Sequence, residues 1–199
     1  MANPATPEST RKRRADAERS IAAILDAALE ALASDPDSSM AEIARRAGVV
    51  RATIYMHFPT RESLLDAVME RAVADVAEAT RSAEPQRGEP VEALERVLRA
   101  TWRELARFHA LLAINIARLS AEELRRRHLP VLEQLEPLIK RGQEDGVFRR
   151  DLPISWHLGV VRAIVHAASG EAKNGRIPES KVEDAMLSTA ISAISERSR

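Results

Sequence analysis

The sequence predicts an all-α protein, on three observations. Alanine and leucine dominate a chain of 199 residues with only 7 glycines, so helix-forming residues prevail. Apolar residues return at spacings of three and four along most of its length. Tracts of β-branched residues in strict alternation, the mark of half-buried strands, are missing. About nine helices are expected, in a chain long enough for one or two small domains with a real core. There is no cysteine, which excludes a disulfide framework, a thiol nucleophile and a Cys-type zinc site. The 30 basic and 30 acidic residues cancel, so any basic surface has to be local. No apolar run approaches the roughly 18 residues of a membrane span. The N-terminus is polar and lacks a signal-peptide apolar region. A soluble, cytoplasmic protein is expected.

Residues 1–15 read as a disordered basic arm. MANPATPEST is small, polar and proline-containing, and RKRR follows at Arg11 to Arg14. The arm either follows a DNA backbone or minor groove, or is a solvated tail that aids solubility. A first helix is expected over 16–33, with Ile21, Ile24, Leu25, Ala28, Leu29 and Leu32 as its apolar stripe. From 20 to 38 there are acids but no base, so this helix is scaffold facing away from DNA. Asp35-Pro36-Asp37 is a turn.

Ser39 with Glu42 three residues on is a capping box, and a helix starts at Met40. Ile43, Ala44 and Ala47 give it one apolar face, and Gly48 ends it by taking the left-handed conformation. A short helix from Arg51 to His57 follows, stopped by Pro59. Helix, glycine-containing turn, helix is the helix-turn-helix pattern. In the second helix Ile54 and Phe58 point inward. Arg51, Thr53, Tyr55 and His57 are left outside as hydrogen-bond donors. No acid occurs between Arg45 and Arg61, so the helix suits a major groove lined by phosphates and acceptor-bearing base edges.

Thr60 caps a fourth helix running to about Ser82, buried through Leu64, Leu65, Val68, Met69, Ala72, Val73 and Val76. EPQRGEP, from Glu84 to Pro90, is the clearest loop. Further helices are expected over 91–108, 110–119, 130–144, 154–172 and 179–196. A short helical turn opens at the capping box of Ser120 and Glu123. The last helix has two adjoining apolar faces, Val182, Met186, Ala190 and Ala193 on one and Leu187, Ile191 and Ile194 on the other. Either both are core, or the surplus is a partner surface. In the second case the last two helices of two chains form a four-helix bundle, with Ala167, Ala168, Gly170, Ala190 and Ala193 allowing close approach.

VVRATIYMHFPTRESLL, Val49 to Leu65, with AEIARRAG before it and IAAILDAALEAL upstream, resembles the TetR family of bacterial transcriptional regulators. The alanine pair in the first helix, the IA..AGV turn, the TIY.HF recognition helix and the [ST][KR]E.LL start of the next helix occur in register. The rest of the chain fits in size and helix count, and DGVFRRDLP resembles a turn of the family. The resemblance implies a three-helix DNA-binding head over 16–75, with the fourth helix straddling the boundary, and a ligand-binding and dimerisation body over 76–199. It implies a homodimer through the last two helices, which would set two recognition helices roughly 34–36 Å apart on a palindromic operator. The function it implies is a transcriptional regulator, a repressor released from double-stranded DNA by an unknown small-molecule effector. The rival is a DNA-bound structural or partner-binding protein with no ligand, which predicts a filled body without a cavity.

Arg51 and Thr53 are the candidates for base-edge contacts, although Arg51 in phosphate contact is the simpler alternative. Ala52 offers a methyl to a thymine methyl. Tyr55 and His57 resemble phosphate-binding positions of the family, and the alternative for His57 is packing over Phe58. Thr60 and Arg61, at a helix N-terminus, would fix the docking register, with Arg46 nearby as a further cation. Val50 departs from the Ser or Thr usual before the recognition helix, and forfeits a capping bond of about 0.5–2 kcal/mol. In the body, Trp102, Leu105, Phe108, His109, Leu112, Asn115, Ile116, Leu119, Leu135 and Val161 are candidate pocket residues. His109, Arg162 and His166 are its polar anchors, and plain packing is the alternative for each. His157 and His166 are nine apart, on opposite sides of a helix, and form no local metal pair. HExxH, CxxC and glycine-rich phosphate loops are missing, and no motif groups Ser, His and acid residues. Neither a cofactor, a metal nor an enzymatic activity is expected.

Overall fold

The computed structural model describes residues 7–105, 119–175 and 177–196. These form α1 (Pro7–Ser34), α2 (Met40–Arg46), α3 (Arg51–His57), α4 (Arg61–Ser82), α5 (Pro90–Leu105), α6 (Ala121–Arg127), α7 (Leu129–Glu144), α8 (Ile154–Asn174) and α9 (Glu179–Ile194). The all-α class stands: the described residues contain no strand, only one antiparallel bridge between Phe148 and Ser195. The helix expected over 110–119 lies outside the described residues. The short turn after Ser120 is a helix of its own, α6.

The disordered arm expected over 1–15 is corrected from Pro7 onward, where α1 begins. Proline suits the first helical turn, where its missing N–H costs nothing. Arginine, lysine, glutamate and alanine then carry the helix through Arg11 to Arg14 on propensity alone, with an Arg19–Asp16 ion pair one turn further on. The apolar stripe that betrayed the helix in the sequence begins only at Ile21. Residues 1–6 lie outside the described residues.

The chain divides into two compact units, one ending at Arg71 and the other beginning at Ala72, within α4. In the first, α1 packs on α2 and α2 on α3. Ile24, Ala28, Leu32, Ile43, Ile54 and Leu64 are wholly or almost wholly buried in it. Gly48, at φ 67°, closes α2 by donating to the Arg45 carbonyl (3.2 Å), while Val49 N–H reaches Ala44 O (3.0 Å). This pair of bonds occupies the Arg45 and Ala44 carbonyls in the last turn of α2.

In the second unit α9 packs on α8 and α5, and α7 on α8, α5 and α6. Phe148 is fully buried beneath α7: a Cβ on Gly142 would stand 2.0 Å from its ring, so that helix position is open only to glycine. The 83–89 loop is held by two arginines. Arg96 donates to the carbonyls of Ala83, Glu84 and Arg87 (2.7–3.1 Å), and Arg141 donates to those of Gln86 and Pro85. Thr101, Trp102 and Val165 are buried. On α8 and α9, Ala168 and Ala190 face the protomer's own core. Exposed small residues include Ala163 and Ala167 on α8 and Ala185, Ser188, Thr189 and Ser192 on α9.

Candidate functional site

The exposed face of α3 carries Arg51, Ala52, Tyr55 and Met56, with Thr53 half-buried beside them and Ile54 at 0% exposure beneath. The Arg51 guanidinium carbon lies 5.5 Å from the Tyr55 ring centroid, an i,i+4 cation–π contact worth about 0.5–1 kcal/mol at an exposed site. Arg51 therefore rests on Tyr55, with no carboxylate holding it. Val50 is the N-cap, makes no side-chain capping bond and is 69% exposed. Met56, 70% exposed, was not singled out in the sequence. Its position one turn beyond Thr53 was the available signal.

The cations around this face are not equally free. Glu42 accepts both Arg45 (2.9 and 2.7 Å) and Arg46 (3.0 Å), and these bonds, Arg45's first, hold its carboxyl down at about 2. Arg61 donates to the backbone carbonyls of Ser38 and Pro36, so its guanidinium braces the turn before α2. His57 packs against Phe58, ring centroids 6.4 Å apart, and its Nε2 is buried without a partner. That leaves Nδ1 as the nitrogen able to meet a phosphate. Thr60 caps α4: Ser63 N–H donates to its Oγ1 (3.1 Å), and its own N–H donates to Ser63 Oγ (3.2 Å). Its hydroxyl hydrogen remains available at the positive end of a long helix.

In the second unit, Trp102, Leu135 and Val161 are buried and Leu105, Leu119, Arg162 and His166 half-buried. Phe108, His109, Leu112, Asn115 and Ile116 lie outside the described residues. A groove of about 190 Å³ runs between α7 and α8, lined by Arg125, Leu129, Leu132, Glu133, Glu136, Ser155, Leu158, Gly159 and Arg162. The rings of His166 and His128 meet at 5.4 Å. His128 stands 38 positions away in sequence, so nothing local in the sequence pointed to it. A wider depression of about 720 Å³ lies at Gly146, Arg149, Arg150, Asp151 and Glu196. Its arginines are committed, Arg149 to Asp151 (3.0 and 2.6 Å) and Arg150 to the carbonyls of Gln143 and Glu144. Among the described residues no group of three His, Cys, Asp or Glu could hold a metal ion, and no helix is long and apolar enough to cross a membrane.

Residues 24–68 match the model of the bacterial regulatory proteins of the tetR family, and residues 90–186 match a tetracyclin repressor-like C-terminal domain. The chain is 30% identical over 178 residues to the HTH-type transcriptional repressor LfrR of Mycolicibacterium smegmatis, covering 89% of this chain and 91% of that one. To the HTH-type transcriptional regulator NfxB of Pseudomonas aeruginosa it is 26% identical over 159 residues, 79% of this chain and 84% of the other. The crystal structure of LfrR in complex with proflavine superposes with a TM-score of 0.71 at 28% identity, over 89% of this chain and 97% of that one.

Proposed function

The chain belongs to the TetR family and is a DNA-binding transcriptional regulator, and on that premise we propose that it is a repressor released from a palindromic operator by a small-molecule effector. Residues 16–75 are the DNA head, with α4 straddling the boundary, and 76–199 the effector-binding and dimerisation body. The observation that carries the reading is the exposed face of α3. It bears donors and a methyl but no acid, on a helix whose inner residue Ile54 is locked into the core. Arg51 and Thr53 read base edges. Ala52 meets a thymine methyl, and Tyr55, His57 through Nδ1, Thr60 and Arg46 contact phosphates. Arg61 acts at one remove, by fixing the turn that seats α2.

Two protomers join through α8 and α9. The exposed small residues Ala163, Ala167, Ala185 and Ser192 support this, since they let helix backbones approach closely, and Trp156, also on α8, is 57% exposed. An effector held in the body biases one arrangement of the dimer, and α4, one unbroken helix from Arg61 to Ser82, transmits the bias. The proflavine complex of LfrR supports a small-molecule site in this class of body.

The test is selection of genomic fragments by the purified chain, followed by binding at two salt concentrations. A palindromic site is expected. Arg51→Ala should weaken it by about 1–3 kcal/mol and relax the base read at one position per half-site. Tyr55→Phe should weaken all sites alike. Salt-sensitive, sequence-blind binding would instead favour the structural-protein reading.

A further inference from the structure

Half-buried arginines among the described residues are paired, with one exception. Among the described residues, Arg61 and Arg141 bond backbone carbonyls, and Arg99, Arg127 and Arg149 bond carboxylates. Arg162 is half-buried and has no hydrogen bond or ion pair to a described residue. A partly desolvated cation without a counter-charge is costly, and it is the state expected of a site awaiting an anion. Arg162 forms part of the wall of the α7–α8 groove, where Leu129, Leu132 and Leu158 supply an apolar floor.

The surroundings add to the imbalance. One turn along α8 from Arg162 stands His166, its ring against that of His128. His128 donates its Nδ1 hydrogen to Leu124 O at 2.7 Å, and His166 makes no hydrogen bond to a described residue. Arg125 lines the same groove but is held bidentate by Glu122 (3.1 and 2.8 Å), and Arg127 is held by Glu123 (3.0 Å). Glu133 and Glu136 also line it from α7, and neither forms an ion pair with Arg162.

We propose that Arg162 anchors the carboxylate of an amphipathic monocarboxylate whose hydrocarbon part lies along Leu129, Leu132 and Leu158. The planar guanidinium grips a carboxylate with two parallel bonds, which selects it over an alcohol or an ammonium. Glu133 and Glu136 repel a second negative charge further along the groove, so a dicarboxylate is rejected. Burial first, then the cost of a second proton beside His128 and the positive charge of Arg162, hold the His166 imidazole neutral, down at about 4. His128 is lowered by burial and by Arg162, against its bond to Leu124. A carboxylate on Arg162 cancels part of that positive field, so the pair takes up a proton more readily in the bound state. Binding therefore tightens as pH falls. As an effector site, the groove rests on the repressor reading; as a binding site, it does not.

The full chain is titrated calorimetrically with octanoate, octan-1-ol, octylammonium and octanedioate. Octanoate is expected to bind about tenfold or more tighter than the other three. Arg162→Gln should remove that preference and leave the weak octanol affinity unchanged, which doubles as the check on folding. His166→Asn should keep the preference but lessen the tightening between pH 7.5 and 5.5. Equal binding of octanoate and octanol by the unaltered chain, as when Arg162 swings onto Glu133, overturns the proposal. So does an octanoate preference that survives Arg162→Gln. Release of operator DNA is scored separately: octanoate that binds without releasing DNA defeats the effector role and leaves the anchor standing.

Discussion

Glu42 and Glu123 occupy capping-box positions, yet only half of each box forms. Their N–H groups donate to Ser39 Oγ (3.2 Å) and Ser120 Oγ (3.1 Å), but the carboxylates turn to arginines three and four residues on. A charge-assisted bond to guanidinium outcompetes a neutral one to a backbone N–H. Where no arginine competes, at Thr60 and Ser63, the reciprocal pair closes. For Glu42 the choice restrains two cations beside the recognition helix. Glu42→Gln should free Arg45 and Arg46, raise affinity for random duplex several-fold and steepen its salt dependence, while stability barely changes because the pairs are exposed. Fluorescence anisotropy across a salt series measures both, and an unchanged slope would show that neither arginine reaches phosphate. Gly142 is a second single-residue constraint that the sequence did not reveal, since only the fold brings Phe148 beneath it. Gly142→Ala puts a Cβ 2.0 Å from a fully buried ring and should cost about 1–3 kcal/mol, read from the urea midpoint, despite alanine's better helix propensity.

Helices announced themselves where an apolar stripe met a start or stop signal, and not otherwise. The start of α2 at Met40 was legible to the residue from Ser39 and Glu42, and Gly48 marked its end, which falls at Arg46 with Ala47 as the cap. The start of α1 was hidden because its first turns are polar and carry no periodicity. The exposed residues of α8 and α9 were only partly legible. Val182, Met186 and Ala190 on one face of α9 and Leu187 and Ile194 on the other are all buried in the protomer itself, as the core alternative expected, and which small residues point outward depends on how α8 and α9 pack against each other. At α3 the sequence identified the donors, while the commitment of Arg61 to the α1–α2 turn needed contacts 23 and 25 residues apart. The weak point of α3 is its start, where Val50 leaves the first N–H groups without a side-chain acceptor. Val50 sits at φ −72°, ψ 151°, which threonine adopts readily. Val50→Thr should therefore stabilise the head by about 0.5–1 kcal/mol. Tyr55 is the one tyrosine of the chain and lies in the same helix, so the melt can be followed on its fluorescence. A lower midpoint would mean that the isopropyl group makes a packing contact worth more than the cap.

Across the whole molecule the charges balance, yet they are distributed so that acid pH acts on stability in two separate windows. Buried imidazoles set the upper one. His166 titrates at about 4 and His128 is likewise lowered, both chiefly by burial, against an ordinary value of 6.5. The unfolded chain therefore takes up protons first as pH drops below 6.5, and the stability these groups confer, whole above that value, is lost progressively down to about 4. Exposed carboxylates set the lower window. Glu42, Glu122, Glu123 and Asp151 are all lowered, first by their hydrogen bonds to Arg45, Arg125, Arg126 and Arg149. What they contribute is present above their ordinary values of 4.5 and 3.8 and fades as pH falls toward the about 2 of Glu42. The upper window is confined to the second unit, which holds both imidazoles, whereas the carboxylates are spread over both units, Glu42 in the first and Glu122, Glu123 and Asp151 in the second. Both tryptophans, Trp102 and Trp156, lie in the second unit and the single tyrosine in the first, so one denaturation series separates them. Between pH 7 and 5 the urea midpoint seen by tryptophan should fall while that seen by tyrosine holds. His166→Asn should lessen the fall of the tryptophan curve over that range without altering the loss below pH 4. A tyrosine midpoint that fell in step between pH 7 and 5 would mean that the two units unfold as one, and that the imidazole pair sets the acid limit of the whole chain.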